Sequence, residues 1–202
     1  MWLSRPVVSL VFSLAMPVHD LPKGLLDLDA KELSDCLASG EVTAVQLMKT
    51  TLDAIDEINP TVNAIISIRD SAELLKEAAI ADSSPRKGWL HGIPTAIKDM
   101  ANAEGIATTM GGSPLFRKNN IATENDIFVQ NIVDAGAIII GKTNTPEHGL
   151  GSHTFNTQWG TTFNPFNKTL SAGGSSGGAA VALSTRMLAI VDGSDMMGSL
   201  RI

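Results

Sequence analysis

The chain has 202 residues, 44% of them hydrophobic and 18% charged, with a formal net charge of −6. That length and apolar content provide for one sizeable core and exclude a disordered chain. Acidic and basic residues are interspersed, which argues against a nucleic-acid-binding face, and the lone Cys36 rules out a disulfide framework.

At the N-terminus Arg5 precedes a short apolar run at 6–15. A weak charge, an apolar stretch and a small-x-small ending sketch a secretory signal, which implies a secreted or periplasmic protein. The plainer alternative is an upstream start, with Met16 opening a cytoplasmic enzyme. Residues 1–24 form an extension on either reading, and 25–202 form the N-terminal portion of one domain. No run of about 18 or more apolar residues occurs, so no membrane span is expected.

From Asp29 onward Leu33, Cys36 and Leu37 fall at helical spacing, and Gly40 ends the element. Thr43 predicts the N-cap of a second helix whose stripe includes Leu47, Met48, Leu52 and Ile55, with Pro60 as its breaker. Residues 63–68 are β-rich. Ser71 is expected to cap a third helix through about Ala81, before a polar loop at 82–88. Strands are then expected at 95–98, 137–140 and 187–191, and helices at 126–135 and 176–184. This alternation predicts a layered α/β architecture behind an N-terminal helical layer.

Two motifs mislead. Residues 136–143 satisfy the phosphate-loop pattern G-x-x-x-x-G-K-[ST]. A phosphate cradle needs a turn of converging amides followed by a helix. Here Ala137, Ile138, Ile139 and Ile140 prefer an extended buried strand, and Asn144-Thr145-Pro146 does not open a helix. Residues 173–177 fit the G-x-S-x-G elbow, whose triad needs a later histidine, but none follows His153. The histidines at 19, 91, 148 and 153 offer no metal-ligand pair on one helix face, so neither metal nor cofactor is expected.

Three residues far apart in the chain stand out. Ser175 lies in a glycine-rich run followed by good helix material at 179–183, so a turn would present free amides beside its hydroxyl. Lys98 ends the apolar run Ile93-Pro94-Thr95-Ala96-Ile97, where burial would favour its neutral form and suit it to act as a base. Ser199 lies in Asp195-Met196-Met197-Gly198-Ser199-Leu200-Arg201.

Together, G-I-P-T-A-I-K-D at 92–99, G-x-x-x-x-G-K-T-N-T-P-E at 136–147, G-G-S-S-G-G at 173–178 and D-x-x-G-S-L-R at 195–201 resemble the amidase signature family. The resemblance implies a mixed, layered α/β/α fold and hydrolysis of a carboxylic amide C–N bond through a Ser-Ser-Lys relay and an acyl-enzyme. It implies Ser199 as nucleophile, Ser175 as bridging serine after a cis bond from Gly174, and Lys98 as base. The backbone amides of Met196, Met197, Gly198 and Ser199 would form the oxyanion hole, with Ser176 and Gly174 positioning substrate. It brings no cofactor, and a small amide substrate is the expected partner; a homo-oligomer is left open.

Two departures qualify the resemblance. Met197 stands where the family usually has a glycine, and it would be strained if that position needs a positive φ. The chain also ends three residues after Ser199, so the nucleophile is expected to be loosely held and activity to be poor. Residues 144–152 look more like free-standing amidases than the tRNA-dependent branch. A non-catalytic remnant of the fold and an ammonia-releasing amidotransferase component of the A type remain as alternatives.

Overall fold

The computed structural model describes residues 24–116 and 119–202, and the signal-like run at 6–15 lies outside them. A 3₁₀ turn at Leu25–Asp27 leads into α1, Ala30–Ser39. Asp29 caps α1 by accepting from the Lys31 and Glu32 N–H groups, and Glu32 accepts in return from the Asp29 N–H. Gly40, at φ 76°, closes the helix in the left-handed region that glycine takes without strain. Helix α2, Ala44–Val62, begins at Thr43 with Gln46 completing the reciprocal cap.

Two expected boundaries shift. Pro60 does not break α2, because it sits in the last turn with both it and Asp56, whose carbonyl loses a donor, exposed. Asn63 then stops the helix in a left-handed conformation, its N–H donating to Asn59 O. Helix α3, Ser71–Ser83, is capped by Asp70 rather than Ser71. The Asp70 carboxylate accepts from the Ala72 and Glu73 N–H groups at 2.9 and 3.1 Å.

The central sheet has three strands, β1 (Ile65–Ile66), β2 (Pro94–Lys98) and β3 (Ile138–Thr143), in the order β1-β3-β2. β2 runs parallel to β3 and β1 antiparallel to it. Side-chain alternation divides the core between the two sheet faces. Ala96, Ile138 and Ile140 share one apolar cluster with residues of α2, α3 and α5 (Gly177–Ser184). Ile97 and Ile139 share another with Val129 of α4, Ile127–Asp134. The result is the mixed α/β layering expected from the sequence.

β3 continues through Gly141, Lys142 and Thr143, all buried, so the phosphate-loop pattern is strand, as its isoleucines dictate. The expected strand at 187–191 does not form. Its neighbour β2 meets it through side chains instead of a ladder: Thr95 Oγ1 donates to Ile190 O at 2.9 Å, and the Lys98 N–H donates to Asp192 Oδ1 at 2.5 Å. A short hairpin, β4 (Phe155–Asn156) and β5 (Gly160–Thr161), precedes α5. Among the described residues no helix is long and apolar enough to cross a membrane.

Helix α5 approaches the sheet so closely that Gly178 has no room for a side chain. A Cβ there would lie 2.4 Å from Asn144 N and 2.7 Å from Ala64 O. Alanine for glycine inside a helix ordinarily gains about 0.5–1 kcal/mol. Here the obstacles are backbone atoms, which cannot swing aside, and overpacking of this kind costs about 1–3 kcal/mol. Gly178→Ala is therefore expected to lower the urea midpoint, with a net loss of about 1–2 kcal/mol. A midpoint equal to or above that of the parent would contradict this packing.

Candidate active site

The C-terminal end of β2 places Lys98 beneath the start of α5. The whole strand is buried, and Lys98 itself is only 1% exposed. Its Nζ reaches three hydroxyls, Ser175 Oγ at 2.7 Å and Ser176 Oγ and Ser194 Oγ at 2.9 Å each. Ser175 Oγ lies in turn 2.8 Å from Ser199 Oγ. Residues 98, 175 and 199 thus form one continuous line of contacts.

That geometry accommodates both states of the amine. An ammonium donates to all three hydroxyls. A neutral amine donates to Ser176 and Ser194 and accepts from Ser175, which frees Ser175 to accept from Ser199. Reversing the direction of two hydrogen bonds moves a proton without moving a heavy atom.

Burial is the main influence on Lys98, bringing its pKa from 10.5 down to about 8, against the opposing charges of Asp192 and Asp195. Asp192 is itself pushed up by burial, offset by its bond from the Lys98 N–H and by the charges of Lys142 and Lys98. Beneath them lies a second buried pair. Lys142 donates to Ala101 O and to Thr108 Oγ1, and burial likewise brings its pKa down to about 8. Asp99, raised by burial, accepts from Thr109 Oγ1 and from the Thr109 and Gly111 N–H groups.

The loop carrying the two hydroxyls is fixed by its backbone. The Gly174–Ser175 peptide is cis. Thr145 Oγ1 donates to Ser175 O at 2.8 Å, and Thr154 Oγ1 donates to Gly173 O at 2.9 Å. The Ser176 N–H donates to Ser199 O at 3.2 Å, tying the segment around residue 199 to the glycine-rich turn.

Asp195 organises the turn before Ser199. Its carboxylate accepts from Arg201 Nε at 2.8 Å and Nη2 at 3.0 Å, and from the Gly198 and Leu200 N–H groups. The Arg201 hydrogen bond, followed by the Gly198 N–H, holds the Asp195 pKa well below the usual carboxylate range. The Gly198 N–H, expected among the oxyanion donors, donates to Asp195 Oδ1 at 2.7 Å. The Met196, Met197 and Ser199 N–H groups have no partner among the described residues. Met197 takes no positive φ, so methionine is unstrained there and its side chain lines a cavity of about 530 Å³ over Ser175 and Ser199.

The expected site residues are therefore in one place: Lys98, Ser175, Ser176 and Ser199 in mutual contact or one hydroxyl apart, with Gly174, Met196 and Met197 on the cavity wall. Sequence reasoning missed Ser194, which touches the amine and whose N–H donates to Ser176 Oγ at 3.3 Å. Its signal was the hydroxyl directly before Asp195. Among the described residues no histidine side chain bonds to Ser175: His148 Nε2 pairs with Ser113 Oγ and His153 Nδ1 with Ser171 Oγ.

Residues 46–202 match the Amidase family. The chain belongs to the amidase signature family. An acylamidase of Rhodococcus erythropolis is 38% identical over 181 residues, 87% of this chain and 37% of that protein. The A-type component of the glutamyl-tRNA(Gln) amidotransferase of Thermoanaerobacter pseudethanolicus is 38% identical over 180 residues, 88% of this chain and 36% of that one. Among solved structures, fatty acid amide hydrolase superposes with a TM-score of 0.79 at 30% identity, covering 86% of this chain and 31% of its own. The chain thus spans just over a third of the length of these curated relatives.

The two buried lysines of this amidase-family chain give its stability a specific pH dependence. Unfolded lysine holds its proton to 10.5, whereas folded Lys98 and Lys142 release theirs near 8. Between those values the unfolded chain binds more protons, so stability rises with pH, and below about 8 the penalty of two buried charges is fully present. Cys36, its thiol pushed up by burial, contributes the opposite sign. In a Cys36→Ser background the urea midpoint is expected to rise between about pH 7.5 and about pH 10, and Lys142→Met to flatten that rise. A parent midpoint that is level or falling across this range would refute the burial of both amines.

Proposed function

We propose that this chain carries the activating machinery of a serine amidase that hydrolyses a carboxylic amide to an acid and an amine or ammonia. The observation that supports it is the unbroken line from Lys98 Nζ through Ser175 Oγ to Ser199 Oγ, with steps of 2.7 and 2.8 Å, opening on the cavity.

In this reading neutral Lys98 accepts the Ser175 proton as Ser175 accepts that of Ser199. Ser199 Oγ then forms a bond to the amide carbonyl carbon. The resulting oxyanion is stabilised by the free N–H groups of Met196, Met197 and Ser199, an arrangement that typically contributes several kcal/mol. As the C–N bond breaks, the proton returns through Ser175 to the leaving nitrogen. Water, giving up its proton to the same relay, then attacks the acyl-enzyme and releases the acid. Ser176 and Ser194 hold the amine so that its lone pair faces Ser175. Both would be unhelpful to a base that had to swing between positions.

The relatives named acylamidase and fatty acid amide hydrolase support amide cleavage as the reaction. The amidotransferase relative, at the same identity as the acylamidase, favours a second reading in which glutamine is the amide and ammonia passes to a partner. Glutaminase activity that appears only with a co-purifying partner would select that second reading.

Labelling with a fluorophosphonate probe tests the relay directly. The full chain is expected to label, and Ser199→Ala to abolish the adduct. The labelling rate should climb with pH through about 8, as Lys98 loses its proton. Lys98→Ala should slow labelling by about 10²–10⁴-fold. An adduct that survives Ser199→Ala, or a rate indifferent to pH across that range, would remove the relay.

A further inference from the structure

The cavity over Ser199 combines apolar side chains with serine hydroxyls. Met100, Leu150, Met196 and Met197 line it, and the last three expose most of their surface. Its two ionisable side chains are already engaged. Asp195 is held by Arg201 Nε and Nη2 and by two backbone N–H groups, while His148 Nε2 is bonded to Ser113 Oγ at 3.1 Å. No other ionisable side chain occurs among the described lining residues. Lys98 sits behind Ser175 with all three of its hydrogen-bonding positions filled.

Beside the relay the wall is backbone. A Cβ at Gly149 would lie 3.2 Å from Met100 Sδ and 3.7 Å from Ser175 Oγ, and Gly149 at φ 67° has the conformation that favours glycine. The Met100 thioether already packs against that position, so the wall beside Ser175 is made by Met100 and the Gly149 backbone. On the opposite side Met197, two residues before the nucleophile, adds a long thioether where the family pattern has glycine. Methionine side chains thus stand on the cavity wall at both Met100 and Met197.

A charged group entering such a space gives up hydration and finds no unpaired ionisable side chain among the described lining residues, whereas an apolar group gains from leaving water. Thioethers add adaptability, because they are flexible, polarizable and pack well against aromatic edges. Resting on the relay described above, we infer that this site takes uncharged amides bearing an apolar aryl or alkyl group, and that Met197 is the residue that sets their fit. Glutamine, with a charged amine and a charged carboxylate beside its amide, is the wrong class for these walls.

Isothermal titration of the Ser199→Ala chain with benzamide, hexanamide and L-glutamine tests this without turnover. Benzamide and hexanamide are expected to bind at least about tenfold more tightly than glutamine. Met197→Glu, made at an exposed side chain that folding does not depend on, should weaken both apolar ligands by about tenfold or more, and Met197→Leu should keep them within about threefold. Glutamine binding as tightly as benzamide, no binding of either apolar amide, or indifference to Met197→Glu would each overturn the inference. The outcome is separable from that of the relay. Apolar binding without fluorophosphonate labelling sinks the relay alone, and labelling without apolar preference sinks this inference alone.

Discussion

The arrangement depends on a single electrostatic constraint: an amine taken out of water at the end of a buried strand. Lys98 can sit there only because three serine hydroxyls replace its hydration shell, and they come from two segments 77 to 96 residues further along the chain. Burial destabilises the charged amine, while the nearby aspartates keep the shift moderate. The outcome is a lysine that changes protonation state near pH 8 instead of 10.5, so its neutral form is within reach of mildly alkaline conditions. Truncating Lys98 would leave those three hydroxyls without their shared amine partner.

The fold supplies this constraint through a short list of contacts. β2 runs parallel to β3, so the C-terminal end of both strands opens on the same side, where the turn into α5 and the segment around Ser199 converge. Asp192 anchors the Lys98 backbone from outside the sheet, and Gly178 lets α5 descend onto Asn144. Lys142 repeats the theme one strand away, with a carbonyl and a threonine in place of the serines. One buried amine faces a cavity through a hydroxyl; the other is enclosed and serves to hold the loops that begin at Asp99.

Much of this was legible in the sequence. Caps and stripes identified α1 and α2, because Asp29 and Thr43 announce their helices locally. The isoleucines of β3 overruled the phosphate-loop pattern for the same reason: side-chain shape decides between strand and turn. What escaped was non-local. Pro60 is tolerated because its neighbours happen to lie at an exposed helix end, and the segment at 187–191 meets β2 through side chains that no periodicity reveals. Ser194 escaped because its role exists only once Lys98 has been placed beside it, and the commitment of the Gly198 N–H to Asp195 is likewise a matter of three-dimensional competition for donors.

The bond from the Ser176 N–H to Ser199 O has a dynamic meaning. It joins the strip that carries the outer hydroxyl to the strip that carries the inner ones, so a thermal displacement of one drags the other in concert. Their relative separation is then buffered against breathing of the surrounding loops, in the way a cross-brace keeps two posts parallel while the frame sways. In the proposed relay proton hand-over would fall off steeply with distance, and a linkage that preserves spacing would keep the two hydroxyls in register beneath the exposed methionines of the rim.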